Sequence, residues 1–197
     1  MANKLFFRYG CMGSSKSAEL LIVAYNYEQK GMNPIVLKPA TDTRDYGEIK
    51  SRIGINRPCI LFGESDDLRV LVNQYIKERK VDCVLVDESQ FMSVEQVRQL
   101  YEVAVLDDIP VICYGLKIDY KGHGFDASKE LLILAHEINE IKTICKCGKK
   151  ATHHLLKVDG EYQFGGSGIF IGDTEFESVC GECFLTTKYE HKKKHTS

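Results

Sequence analysis

Three groups of residues in this chain have types and spacings that suit chemistry. The first is Gly10-Cys11-Met12-Gly13-Ser14-Ser15-Lys16-Ser17. It fits G-x-x-x-x-G-K-[ST] at every position except Ser15, which replaces the second glycine. Consecutive backbone N–H groups in such a loop form an anion nest, and the helix that follows adds the partial positive charge of its N-terminus. Lys16 is then placed to reach the β- and γ-phosphates of ATP, and the Ser17 hydroxyl to ligate Mg²⁺. Ser15 would have to adopt a left-handed backbone at a cost of about 1–2 kcal/mol, so ATP binding is expected to be somewhat weakened. The second group is Asp87-Glu88, directly after the apolar run Val81 to Val86. A carboxylate at such a strand end holds Mg²⁺ in phosphate-loop proteins, which leaves its neighbour to accept a proton from a second substrate. The third is Cys145-x-Cys147 with Cys180-x-x-Cys183, four thiols suited to a closed, structural Zn²⁺ site.

The elements that must position these groups follow from periodicity. Leu5 to Tyr9, Pro34 to Lys38, Val81 to Val86 and Ile109 to Tyr114 read as strands. Ser17 to Lys30, Asp67 to Arg79, Ser93 to Leu106 and Ser128 to His136 read as helices, with Ser93 as an N-cap followed by Gln96. Asp42 to Gly54 reads as an arm or hairpin, and Lys117 to Asp126 as a glycine-rich segment. Strands alternating with helices predict an α/β domain over residues 1–141, with a mostly parallel sheet of the RecA-like phosphate-loop kind covered by helices on both faces. Residues 142–188 hold the clustered cysteines and short β-like runs without a strong helix, and are expected to form a small zinc-ribbon-like domain. The basic stretch 189–197 is expected to be disordered.

Composition agrees with a globular protein: 44% of residues are hydrophobic and 27% charged. A net charge of −2 argues against a surface devoted to nucleic acid or membrane, so neither partner is expected. The apolar runs are too short to span a bilayer, and Met1 to Lys4 opens no secretory signal, so a cytoplasmic location is expected. In a reducing compartment, paired cysteines are read as metal ligands before disulfides. Cys59, Cys83 and Cys113 sit in apolar runs and are read as core residues. His153 and His154 lie near the first cysteine pair and offer alternatives to Cys147, although exposed positions on a strand are the plainer reading.

Beyond these motifs, longer strings carry a resemblance. Tyr9 to Leu21, Asp42 to Arg44, Ser51 to Gly54, Asp87 to Phe91, Tyr114 to Phe125, Thr143 to Ala151 and Val179 to Cys183 together resemble type II thymidine kinases, in family order and over nearly the whole chain. The resemblance implies transfer of the γ-phosphate of ATP to the 5′-hydroxyl of thymidine, giving dTMP and ADP. It implies Glu88 as the general base and Asp87 in the service of Mg²⁺. Gly10, Cys11, Met12, Gly13, Ser14, Ser15, Lys16, Ser17, Asp87 and Gln90 would bind the nucleotide. Met12, Phe91, Phe125, Ile169 and Phe176 would line the thymine site, with a lid loop, the lasso, over about Gly165 to Phe176. Phe176 stands where most members have Tyr. Arg44 or Arg52 would neutralise phosphate charge, and Lys121 stands where Arg is usual. Cys145, Cys147, Cys180 and Cys183 would hold Zn²⁺ that pins the lid, the first pair one residue tighter than in most ribbons. A homotetramer inhibited by dTTP is also implied. Rival readings are a kinase of another deoxynucleoside such as deoxyuridine, a zinc-ribbon nucleotide sensor or nucleic-acid binder, and a low-activity, kinase-like nucleotide-binding regulator.

Overall fold

The computed structural model describes residues 4–42, 47–165 and 175–195. Its larger sheet contains β1 (Leu5–Tyr9), β2 (Pro34–Pro39), β5 (Ile60–Phe62), β6 (Cys83–Val86), β7 (Val111–Gly115) and β8 (Glu137–Glu140). The order is β5-β2-β6-β7-β1-β8 and every pairing is parallel. Alternate residues of the central strands face opposite sides, and both sides are apolar. Leu5, Phe7, Ile35, Leu37, Val84, Val86, Val111 and Cys113 enter one buried cluster. Val36, Cys83, Leu85, Ile112 and Tyr114 enter the other. A strand with two apolar faces needs a cover on each, which is why these runs read as continuous hydrophobic segments.

Helix α1 (Lys16–Glu28) covers the second face through Leu20, Leu21 and Ala24. Helices α2 (Leu68–Glu78), α3 (Val94–Leu106) and α4 (Asp126–Leu134) cover the first through Leu68, Val72, Val97, Leu100, Val103, Ala127 and Leu131. Each fully buried aliphatic side chain contributes about 1.5–3 kcal/mol, so this double-sided burial is what holds the strand ends in register. A short hairpin of β3 (Glu48–Lys50) and β4 (Asn56–Pro58) fills part of the predicted arm. Ile49 of that hairpin is buried in the α1 cluster, and Arg57 pairs with Glu28 of α1 at 2.7 Å. The hairpin is thereby fastened along α1, with Arg57 held at the helix's C-terminal residue.

A second, antiparallel sheet contains β9 (His153–Val158), β10 (Glu161–Gln163) and β11 (Glu175–Val179), in the order β10-β9-β11. It has its own small core of Cys145, Leu155, Val179, Cys180 and Phe184. Helix α5 (Gly181–His195) corrects the expectation of a helix-free module and a disordered tail. Phe184 is buried and stacks on His153 at 4.6 Å, and His191 packs on Phe164 at 5.1 Å, which anchors one side of the helix. Glu182 in the first turn and Lys192 to Lys194 near the end also suit the helix dipole. The basic stretch 189–197 has the composition of solvated chain because its apolar anchors, Phe184 and Phe164, lie outside it. Strand β8 was also missed: its sequence, Glu-Ile-Asn-Glu, is polar and mostly exposed, as an edge strand permits.

The capping box at the head of α3 is formed in both directions: Gln96 N donates to Ser93 Oγ and Ser93 N to Gln96 Oε1, each at 3.1 Å. Gln96 Nε2 also donates to Gly63 O at 2.8 Å, tying α3 to the loop before α2. Ser93→Ala should therefore cost about 1 kcal/mol, read as a lower denaturant midpoint with an unchanged m-value.

Candidate active site

The carboxyl ends of β1, β6 and β7 meet at one edge of the parallel sheet, where open α/β sheets bind ligands. A cleft of about 290 Å³ opens there, lined by residues 12–18 of the phosphate loop, Lys38, Asp42, Ile49 to Ile53, Asp87, Glu88 and Leu116. Ser15 has φ 64 and ψ 22, the left-handed conformation that the missing glycine requires. Its side chain makes no cap bond, so the first amides of α1 face the cleft without a side-chain partner at the cap, as an anion site needs. Gly13 also has a positive φ, +74, and a Cβ there would come within 3.1 Å of an Arg52 guanidinium nitrogen. Gly10 is enforced by packing: a Cβ would lie 2.3 Å from Ser14 Oγ and 2.5 Å from Ile141 O.

The Lys16 ammonium is buried and donates to the carbonyls of Cys11 (2.8 Å) and Gly10 (3.3 Å). Burial lowers its pKa, while Glu88 and Asp87 oppose that shift. Ser17 Oγ donates to Asp87 Oδ2 at 3.0 Å, joining the helix start to the end of β6. Asp87 Oδ1 is buried and has no protein partner. An unmatched carboxylate oxygen beside a hydroxyl at the floor of a polar cleft fits a hydrated divalent cation, so the residues present suit Mg²⁺. Burial, then the neighbouring Glu88 charge, raises the Asp87 pKa well above the ordinary carboxylate range. Removing an unscreened acid from water in this way is typical of a functional cleft.

Of the expected base-side residues, Met12 lines the cleft. Phe91 and Phe125 meet edge-to-face at 6.0 Å. Phe176 on β11 packs edge-to-face on His154 at 5.9 Å. The face of the small sheet bearing Phe176 and Ser178 turns toward the phosphate loop, since Ser178 Oγ donates to Met12 O. Ile169, the rest of the lasso from 166 to 174, and Arg44 lie outside the described residues. Gly165, the first lasso residue, accepts from the Tyr120 hydroxyl. Arg52 lines the cleft, whereas Lys121 does not and holds its ammonium 5.9 Å from the Tyr120 ring centre. Gln90 does not line the cleft either; it is buried and bonds to Glu88 and to the Leu116 backbone.

Two features escaped the sequence reading. Lys38 and Asp42 form a buried ion pair at 3.2 Å on the cleft wall. The signal was a lysine near the end of a strand otherwise free of charge, Pro34–Pro39, every residue of which is buried. His154 corrects the expectation of an exposed histidine: it is buried, and its Nδ1 has no partner. Its burial comes from the face of β9 opposite Leu155 and the module's own core, where Phe176 covers it and Cys11 and Leu116 share its pocket, which no single-residue propensity reveals.

The four cysteine Sγ atoms Cys145, Cys147, Cys180 and Cys183 lie within 4.8 Å of one another. Among the described residues, no histidine joins them, and Cys147 takes its place in the set. Backbone N–H groups of Cys147 and Cys180 pull the Cys145 thiol down to about 6. Gly148, at φ +85, makes the tight turn that brings Gly148 N to Cys145 O at 2.8 Å. Four converging sulfurs, one already favouring thiolate, fit a closed tetrahedral Zn²⁺ site.

Comparison with known proteins agrees with this geometry. The family model for thymidine kinase matches residues 3–184. The chain belongs to the thymidine kinase family. It is 41% identical over 195 residues to a thymidine kinase of Francisella tularensis subsp. tularensis, covering 95% of this chain and 99% of that protein. It is 44% identical over 180 residues to one from Haemophilus influenzae, covering 90% and 93%. It is 42% identical over 179 residues to the thymidine kinase of Enterobacteria phage T4, covering 89% and 92%. These alignments run through both sheets, so family membership extends to the cysteine module as well as the phosphate loop.

Two outcomes follow from the site. Ser15→Gly removes the left-handed strain and should tighten ATP binding by up to about tenfold, the equivalent of ~1.4 kcal/mol, measured by titration calorimetry. Burial holds the His154 pKa down at about 4, below its ordinary 6.5. The folded state therefore binds fewer protons there than the unfolded chain. Its contribution is complete above pH 6.5 and is lost as pH falls toward 4, by up to about 3 kcal/mol. His154→Phe should flatten that acid slope relative to wild type in urea titrations taken between pH 4 and 7.

Proposed function

We propose that the chain transfers the γ-phosphate of ATP to the 5′-hydroxyl of thymidine, giving dTMP and ADP. The observation that carries this reading is that, in a member of the thymidine kinase family, the phosphate loop and Glu88 line one cleft. The loop amides and Lys16 bind the triphosphate and neutralise charge that builds on it during transfer. Mg²⁺, held by Ser17 and Asp87, would screen the β- and γ-phosphate oxygens. Glu88 accepts the proton of the 5′-hydroxyl as that oxygen attacks phosphorus. Arg52, fixed by the β3–β4 turn over Gly13, adds positive charge at the mouth of the cleft.

Met12, Phe91, Phe125, Phe176 and Ile169 are proposed to line the nucleobase site, an apolar wall suited to a flat base. Residues 1–141 would form the nucleotide-binding domain, and 142–188 the lid-bearing module. Zn²⁺ on the four cysteines would staple that module, whose own core is only a handful of residues. Homotetramer formation, inhibition by dTTP and a cytoplasmic location belong to the same proposal and rest on family membership. Exposed Ile22 and Tyr25 along α1 support contact between subunits. Among the described residues, no helix is long and apolar enough to cross a membrane.

A phosphorylation assay over thymidine, deoxyuridine, deoxycytidine and deoxyguanosine should show the highest kcat/KM with thymidine; equal turnover of purine nucleosides would contradict the proposed site. Glu88→Gln should lower kcat by about 10²–10⁴-fold with ATP affinity retained. Cys180→Ser should release bound zinc in a chelator assay and raise the thymidine KM, because the lid loses its staple.

A further inference from the structure

Glu88 has a left-handed backbone, φ 49 and ψ 40, at the end of a fully apolar strand. A strained non-glycine backbone persists where its surroundings over-determine it. Here the next three residues form a single 3-10 turn, Ser89–Phe91, closed by Phe91 N donating to Glu88 O at 3.1 Å. The middle residue of that turn, Gln90, reaches in two directions at once. Its Oε1 accepts from the backbone N–H of Leu116 at 3.0 Å. That bond fixes which end of the amide is oxygen, so the NH₂ must face the other way. There it donates to Glu88 Oε2 at 2.5 Å.

Packing leaves the amide no alternative. Gln90 is 3% exposed and Ser89 fully buried. A Cβ on residue 115, the last residue of β7, would fall 2.5 Å from Ser89 Oγ and 2.8 Å from Gln90 Oε1. Glycine at 115 is therefore what lets the turn seat against the strand. The chain of contacts runs from the end of β7, through the Leu116 amide and the Gln90 carboxamide, to one oxygen of the Glu88 carboxylate. Gln90 is a brace between the sheet and that carboxylate, and it is absent from the lining of the phosphate cleft.

We propose that Gln90 is a positioning residue that orients the Glu88 carboxylate toward the nucleoside hydroxyl, and that it does not bind the nucleotide. This rests on the reading of Glu88 as proton acceptor. A charge-assisted bond to one carboxylate oxygen sets the plane of the group, and a misplacement of about 1 Å at such a base costs up to about 100-fold in rate. Removal of the brace should lower kcat and leave ground-state binding in place.

The test is a double-mutant cycle on the full-length enzyme in saturating ATP and Mg²⁺. Gln90→Met removes both bonds. Gln90→Glu keeps an acceptor for the Leu116 amide and removes the donor to Glu88, so it controls for loss of fold. Both should lower kcat about 10–100-fold, with the thymidine KM and the ATP dissociation constant within about twofold of wild type. In a Glu88→Ala background, read by single-turnover transfer of labelled phosphate, Gln90→Met should cause no further loss, because nothing remains to be oriented. Wild-type kcat in both variants would overturn the proposal. So would weakened ATP binding at unchanged kcat, or an equal loss in both backgrounds. Glu88→Ala with undiminished turnover would instead overturn the proton-acceptor reading, and this proposal with it.

Discussion

A buried positive charge organises the catalytic edge of this protein. The Lys16 ammonium is 8% exposed and bonded to two loop carbonyls, with the Asp87 and Glu88 carboxylates supplying opposing charge. An ion removed from water at this depth is tolerated only while its partners stay in place. That requirement ties β1, which launches the loop, to β6, which delivers the acids, across β7, which pairs with both. Two left-handed residues, Ser15 and Glu88, stand at this edge, and each turns the chain sharply beside the same cleft. The strain at both positions is carried by a sheet buried on its two sides.

The small antiparallel sheet is joined to this edge through few but specific contacts. Ser178 donates to the Met12 carbonyl inside the phosphate loop, and Tyr120 to the Gly165 carbonyl at the start of the lasso. Phe184 of α5 approaches Gly122, where a Cβ would lie 3.5 Å from its ring. The module thus rests on the phosphate loop itself: Met12 lines the phosphate cleft while its carbonyl accepts the Ser178 hydroxyl. The cysteine cluster sits at the base of that module, between the end of β11 and the start of α5 on one side and the Gly148 turn on the other. The cluster is connected to the phosphate-loop edge through Ser178 and Phe176, two and four residues upstream of Cys180 along one strand and its exit.

Much of this was legible in the sequence, for identifiable reasons. The parallel sheet announced itself because Val84 to Val86 and Val111 to Cys113 are apolar on both faces, a pattern that only a doubly covered strand needs. The left-handed Ser15 followed from a single departure from a glycine pattern. Spacing singles out the four cysteines but leaves His153 or His154 open as alternatives to Cys147; the four sulfurs cluster in the fold. What was hidden depends on tertiary contact. Helix α5 is held by Phe184 and by a ring contact from Phe164 on a distant segment, so a basic run looked like solvated chain. Strand β8 is an edge strand whose polar residues carry no burial signal. His154 resembles a surface residue in sequence because its burial is set by Phe176 and by the phosphate-loop side of the larger domain. Gln90 is implied as a nucleotide ligand by the resemblance, and only the fold reveals its hydrogen bonds to Glu88 and to the Leu116 backbone.

The proposed reaction requires the phosphate loop and Glu88, which line one cleft, to face each other across the nucleoside hydroxyl. A crystal structure of the chain with thymidine and a non-hydrolysable ATP analogue measures that relation directly. The account predicts the 5′-oxygen within hydrogen-bond reach of a Glu88 carboxylate oxygen, about 2.6–3.2 Å, and in line with the terminal phosphorus beside Lys16. A nucleoside bound with its 5′-oxygen turned away from Glu88, or a triphosphate seated outside the loop amides, would contradict it.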